Sequence, residues 1–211
     1  MAKDVGKAIK RVEDPRFIQG RGKYVANLQL HNMVHVAILR SPHAHAKIKS
    51  INAEKAKALP GVVGVFTGED LQASGVGGLP CGFNPPDIKT PAHPALAVGK
   101  VRHVGDGVAA VVAENAYIAY DALGMIEVDY EPLPAVVGAK AATESGTLVH
   151  DDVPNNLSFT WPLGDKEGCD RAFAQAEHVV ELDLINQRLI PNAMEPRACA
   201  AQWDMAMEEM T

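Results

Sequence analysis

Four histidines, His31, His35, His43 and His45, lie close together near the start of the sequence. His43 and His45 are two residues apart, so on a strand they would share a face, and imidazole nitrogens are common metal ligands. No carboxylate or cysteine stands at a supporting spacing. The sequence therefore favours structural or solvated histidines, and it predicts no metal site.

Two short glycine motifs could suggest a phosphate-binding loop. Gly20-Arg21-Gly22 lacks the third glycine and the preceding strand of a dinucleotide fingerprint, and Gly105-Asp106-Gly107 precedes a strand rather than a helix. The second motif predicts a turn. Neither motif supports a dinucleotide site.

The acidic residues Glu127, Asp129 and Glu131 alternate along one predicted strand. Acid–base catalysis needs carboxylates in divergent environments, and nothing in the sequence indicates them here. A solvated strand face is the favoured interpretation. Ser41, Ser158, Cys81, Cys169 and Cys199 stand in no sequence context that would activate a nucleophile.

The segment Met194-Glu195-Pro196-Arg197 is more suggestive, since a proline fixes the backbone between an acid and a base. Glu195 and Arg197 could pair within the protein or face a ligand, and an internal structural role is favoured. We therefore assign no catalytic or metal-binding residue, and the cofactor-binding residues stay unknown.

Composition limits the function classes. The 211 residues are 47% hydrophobic with a net charge of −6, which argues against a nucleic-acid partner and gives no reason to expect an anionic membrane surface. No apolar run is long enough to span a bilayer, and residues 1–10 are too polar for a secretory signal. Three scattered cysteines without a CxxC favour a cytoplasmic location and argue against an iron–sulfur or structural zinc site.

Hydrophobic periodicity predicts an α+β fold. We expect strands over 33–39, 46–51 and Val62–Thr67, with a helix over 53–59 capped by Asn52. Residues 73–95 are rich in glycine and proline and predict a long loop.

A second group of elements is predicted after this loop. Gly107–Ala113 is a nearly continuous apolar run, typical of a buried strand, and Asn115 can cap a helix over Ala116–Leu123. A strand over 126–130 follows, and this order suggests a βαβ crossover. Further along we expect a helix over 169–176, a strand over 180–184 and a pairing strand over 198–203, with an exposed apolar strand edge within 179–203.

Several stretches occur in the order found in one enzyme family. They begin with Arg11–Phe17 (RVEDPRF), Gly20–Val25 (GRGKYV) and Arg40–Ile48 (RSPHAHAKI), and they end with Val128–Pro134 (VDYEPLP) and Met194–Arg197 (MEPR). Together they resemble the large subunits of the xanthine dehydrogenase, aldehyde oxidase and carbon monoxide dehydrogenase family. Gly164–Gly168 (GDKEG) is most similar to carbon monoxide dehydrogenase large chains and their relatives.

The resemblance implies an α/β hammerhead domain over 1–140, a linker over 141–165 and, over 166–211, the beginning of an incomplete molybdopterin-binding domain. It also implies a molybdenum hydroxylase that oxidises carbon monoxide, a small aldehyde or an N-heterocycle with water as the oxygen source. The complete subunit would carry molybdenum on molybdopterin cytosine dinucleotide. Iron–sulfur clusters would lie on a small partner subunit and FAD on a medium one.

In the family, the residues around molybdenum lie downstream of the MEPR stretch, so no catalytic residue carries over to this sequence. We expect the chain alone to be inactive, to bind no cofactor, and to need the remainder of the large subunit. The alternative is a non-catalytic scaffold or assembly module that docks the FAD or iron–sulfur subunit.

Overall fold

The computed structural model describes residues 4–187 and 189–211, so the first three residues of the polar start lie outside it. Its contacts divide the chain into two units. One unit is Met33–Glu177, and the other combines Met1–Asn32 with His178–Thr211. Among the described residues, no helix is long and apolar enough to cross a membrane.

A three-stranded antiparallel sheet forms the first layer of the unit Met33–Glu177. Its strands are β1 (His35–Arg40), β3 (Val62–Thr67) and β5 (Gly107–Ala113), with β5 in the middle. As the central strand, β5 is hydrogen-bonded along both edges, to β1 and to β3.

A second antiparallel sheet contains β2 (Ala46–Asn52) between β4 (Lys100–Val101) and β6 (Glu127–Pro132). Ala46 pairs with Val101 on one side and with Pro132 on the other. Charged side chains alternate with apolar ones along β2 and β6, as expected for strands with one solvated face.

Helices connect and cover these strands: α2 (Glu54–Lys57), α3 (Gly68–Ala73), α4 (Ala116–Leu123), α5 (Ala139–Glu144) and α6 (Lys166–Gln175). The side chain of Asn115 accepts a hydrogen bond from the Ile118 amide and caps α4, as predicted. The predicted helix over 53–59 is shorter in the structure, with Ala53 at its N-cap. Short helices α1 (Asp14–Ile18), Val25–Asn27 and Pro154–Asn156 complete the list.

Two apolar clusters hold this unit together. The larger one packs Ala119 and Ala122 of α4 against Val65, Ala109 and Val111 of the first sheet. Alanines on the helix allow it to approach the sheet closely. The smaller cluster joins the sheets through Ala46, Ala97, Val101 and Val108.

The predicted βαβ crossover is wrong. The strands before and after α4 do form, but β5 belongs to the first sheet and β6 to the second. Both pair antiparallel with strands from earlier in the chain. Periodicity locates a strand, whereas its pairing partner depends on contacts between residues distant in sequence.

The strand predicted over 180–184 is also absent from the described residues, and of the strand predicted over 198–203 only Trp203 lies in a strand. The structure instead has a small hairpin of β7 (Trp203–Asp204) and β8 (Glu209–Met210). Val180, Leu182 and Leu184 are 90%, 74% and 81% exposed. The alternating side-chain pattern is therefore present without a neighbouring strand. A strand needs such a neighbour because its backbone N–H and C=O groups form hydrogen bonds with it.

Residues 74–99 contain no helix or strand, which confirms most of the predicted loop over 73–95. Asn156 holds the predicted linker region by hydrogen bonds to the backbone of Ala142, Thr147 and Val149. The predicted domain boundaries at 140 and 165 stay a prediction.

Candidate functional site

The segment Arg40–His45 forms a hydrogen-bonded corner against the turn at Gly105-Asp106. Arg40 donates to the Gly105 carbonyl at 2.8 Å, and the Ser41 amide donates to the Asp106 carbonyl at 2.8 Å. Gly105 has φ +89°, the left-handed conformation that favours glycine. The predicted turn is confirmed.

Ser41 is buried and its hydroxyl is used locally. Its Oγ donates to the His43 carbonyl at 2.9 Å and accepts from the His43 amide at 3.0 Å. The serine therefore fixes the backbone of the corner. Both of these bonds are to the backbone of His43 and neither is to an imidazole nitrogen.

The neighbouring histidines pack in separate places. The His43 ring meets the Tyr130 ring edge-on at 5.0 Å. His45 is 7% exposed, and its Nδ1 donates to the Pro134 carbonyl at 2.8 Å. In the described part of the chain, no three His, Cys, Asp or Glu side chains are grouped to hold a metal ion.

The acidic strand face of β6 forms ion pairs with lysines on the surface. Glu127 contacts Lys55 at 2.6 Å, and Glu131 contacts Lys47 at 3.1 Å. The hydrogen bond from each lysine lowers the pKa of its carboxyl partner. These contacts agree with the predicted solvated face.

The cysteines and Ser158 show no catalytic arrangement either. Cys81, Cys169 and Cys199 are exposed free thiols. The Ser158 hydroxyl donates to the Lys89 carbonyl at 2.9 Å, which ties the long loop to the segment after α5.

Glu195 makes a backbone contact within its own unit. Its Oε1 accepts a hydrogen bond from the Val25 amide at 3.3 Å, across 170 positions of sequence. This contact joins two of the stretches singled out in the sequence, the GRGKYV segment and the MEPR segment. It supports the internal structural role favoured for Glu195, although the partner is Val25 rather than Arg197.

A cavity of about 240 Å³ in the unit Met33–Glu177 is the site that sequence reasoning missed. Arg102 donates to the Val149 carbonyl at 3.2 Å, and Lys100 pairs with Asp151 at 2.9 Å. Its polar and charged lining residues come from three separate segments: His93, Lys100, Arg102, His103, Asp106 and His150. They are distant in sequence and form no motif.

Burial lowers the pKa of His150, and the positive charges of Arg102 and His93 lower it further, while Asp151 and Asp152 oppose them. Asp151 pairs with Lys100, and Asp106 lines the same cavity as Arg102, so charges of both signs surround the cavity.

The described residues of 178–211 do not form a cradle for a large cofactor. Every described residue of 178–211 is exposed, so this segment encloses no pocket. A pterin dinucleotide would need a deep site with convergent polar groups. We therefore assign no residue of this chain to cofactor binding.

Comparison with known protein families gives two matches. Residues 19–134 match the family model for the aldehyde oxidase and xanthine dehydrogenase a/b hammerhead domain. Residues 149–211 match the model for the molybdopterin cofactor-binding domain.

Similar proteins agree with these matches. The carbon monoxide dehydrogenase large chain of Afipia carboxidovorans is 40% identical over 96% of this chain and 26% of its own length. The nicotine 6-hydroxylase large subunit of Paenarthrobacter nicotinovorans is 31% identical over 98% of this chain and 25% of its own. The chain thus spans about a quarter of the length of these relatives.

Solved structures show the same relationship. Quinoline 2-oxidoreductase from Pseudomonas putida 86 superposes with a TM-score of 0.88 at 38% identity, covering 97% of this chain and 26% of that one. Carbon monoxide dehydrogenase from Oligotropha carboxidovorans gives 0.72 at 41% identity, covering 82% and 22%. These findings confirm the expected hammerhead fold, followed by part of a molybdopterin-binding domain.

Proposed function

The chain belongs to the aldehyde oxidase and xanthine dehydrogenase family of molybdenum-dependent oxidoreductases, and we propose that it is the N-terminal part of the molybdenum subunit of a hydroxylase. The observation that supports this most is the pair of consecutive family matches, which together cover most of the chain. The whole enzyme would oxidise carbon monoxide, a small aldehyde or an N-heterocycle with water as the oxygen source.

In this proposal the chain supplies structure rather than catalysis. The two apolar clusters of residues 33–177 give it a core of its own, and no described residue has the arrangement of a catalytic group. The chemistry would come from molybdenum on molybdopterin cytosine dinucleotide, held by the remainder of the large subunit. Electrons would pass to iron–sulfur and FAD subunits in the cytoplasm.

A second candidate is a non-catalytic scaffold that docks the FAD or iron–sulfur subunit. The observation that favours it is the same self-contained core, which needs no cofactor to bury its apolar residues. The two candidates differ in whether molybdenum accompanies the chain.

The test is purification of the tagged protein from its native host together with everything bound to it. We expect stoichiometric molybdenum, cytidine monophosphate after acid hydrolysis, and dye reduction with one of the three substrate classes. Partner subunits would be identified by mass spectrometry. A complex that contains flavin or iron–sulfur subunits but no molybdenum would overturn the enzyme proposal and support the scaffold.

A further inference from the structure

The first sheet has an apolar face that the described residues leave open. Ala37, Val111 and Val65 point to the α4 side and are buried. Because side chains alternate along a strand, the residues between them point the other way. We call these residues the open face: Val36, Ile38, Gly64, Phe66, Ala110 and Val112.

Strand register places the open face in two rows. Val36, Val112 and Gly64 are paired across the three strands, and Ile38, Ala110 and Phe66 are paired in the next row. Val36 is 60% exposed and Phe66 is 44% exposed. No residue of either row is polar, so the face is continuous and apolar across the whole sheet.

Such a face differs from an ordinary solvated one. Antiparallel sheets with one side in water usually carry polar residues on that side, as β6 of the second sheet does with Glu127, Asp129 and Glu131. By contrast, β5 is apolar at every position, the pattern of a strand covered on both faces.

Part of the same side of the sheet is already covered. Val108 lies two residues before Ala110 on β5 and is fully buried in the smaller cluster with Val101. The open face therefore continues from a packed core, and an occupant that covered it would extend that core.

We propose that the open face packs against the remainder of the molybdenum subunit. This inference rests on the proposed function. The chain spans about a quarter of the length of its relatives, so most of the subunit lies outside it. Interfaces in permanent assemblies resemble a domain core and are depleted of charge at their centre. The all-apolar composition of the open face therefore fits a permanently bound occupant.

The test uses a photo-crosslinking amino acid, p-benzoylphenylalanine, at position 66 in the native complex. It replaces one aromatic ring by another at a half-exposed site, so folding should be preserved. The same substitution at Tyr117, which is 84% exposed on α4, is the matched control. Cross-linked peptides are identified by mass spectrometry, and molybdenum is measured in the same preparation.

We expect position 66 to cross-link to a peptide of the molybdopterin-binding sequence outside residues 1–211. The yield of cross-links to that peptide should be severalfold higher from position 66 than from position 117. A second readout is maleimide labelling of Val36→Cys, measured on the peptide that contains position 36 because three other exposed thiols also react. This position should be labelled severalfold more slowly in the complex than in the isolated 211-residue chain.

Cross-links to the FAD or iron–sulfur subunit, to a second copy of residues 1–211, or to nothing would overturn the inference. So would equal maleimide reactivity in the complex and in the isolated chain. If the preparation contains molybdenum but shows one of these outcomes, the inference is rejected and the proposed function is not. Absence of molybdenum rejects the proposed function, and the cross-links then still identify what covers the face.

Discussion

The Ser41 amide donates a hydrogen bond to the Asp106 carbonyl at 2.8 Å, although the two residues lie in separate segments of the sequence. The Gly105 amide returns a bond of the same length to the Ser41 carbonyl. These paired bonds hold the RSPHAH corner against the turn before β5. The motif is therefore part of the framework of the domain, and its serine and histidines need no catalytic role.

The Asp106 carboxylate should stabilise this turn. Its Oδ2 accepts a hydrogen bond from the Arg102 amide at 3.0 Å, and the side chain is 15% exposed. Asp106→Ala should lower the free energy of unfolding by about 1–3 kcal/mol, because it leaves a partly buried amide without its acceptor. Urea denaturation measures this. Asp106→Asn keeps an acceptor oxygen and should restore much of the loss; an equal loss in both variants would contradict the explanation.

Gly68 at the start of α3 should tolerate no side chain. A Cβ there would lie 2.4 Å from the Ala97 carbonyl oxygen and 2.7 Å from that of Leu96. Gly68→Ala should therefore destabilise the protein by about 1–3 kcal/mol, the usual range for overpacking. Thermal unfolding is the measurement. Gly77→Ala is the control, since a Cβ at Gly77 meets nothing within 4 Å; matching melting temperatures for the two variants would refute the prediction.

His150 should make stability depend on pH. Burial lowers its pKa below the ordinary 6.5, with Arg102 adding to the effect. The unfolded chain therefore takes up the proton first as pH falls, and stability is lost from about pH 6.5 down to the folded-state pKa.

NMR titration of the His150 ring should report the lowered pKa directly. Arg102→Gln should raise it only in part, because burial is the larger cause. The unfolding free energy of His150→Gln should change less between pH 7 and pH 5 than that of the parent protein. A ring that titrates at the ordinary value would count against the prediction.

Glu195 should protect the Val25 amide from solvent exchange. The hydrogen bond between them is 3.3 Å long. Glu195→Ala should speed hydrogen exchange at Val25, while Glu195→Gln, which keeps an acceptor, should slow it again. Glu181→Ala, in the same unit, is the control and should leave Val25 unaffected. An unchanged exchange rate at the Val25 amide in Glu195→Ala would show that this contact does not stabilise the structure.

Local signals in the sequence predicted much of the fold. The strands at 46–51 and Gly107–Ala113 and the helix at Ala116–Leu123 follow from side-chain periodicity and from the cap at Asn115. The turn at Gly105 follows from its glycines. Each depends on residues that are close together in sequence.

Signals that require a distant partner failed or were missed. Periodicity over 180–184 predicted a strand, but a strand forms only where another offers its backbone, and the described residues offer none there. The cavity beside β4 was missed because His93, Arg102 and His150 meet only after the long loop and the segment after α5 fold back onto β4.

By itself, the sequence determined which residues form most of the helices and strands, and its ordered motifs identified the family. Hydrogen bonding within a helix and the alternation of side chains along a strand are local, so both can be predicted from the sequence. Only the tertiary structure decided that β5 and β6 belong to different sheets, that Glu195 binds Val25, and that one apolar sheet face stays open. These features depend on which surfaces, distant in sequence, pack against each other. Tertiary packing determines this, and the local hydrophobic pattern of the sequence does not.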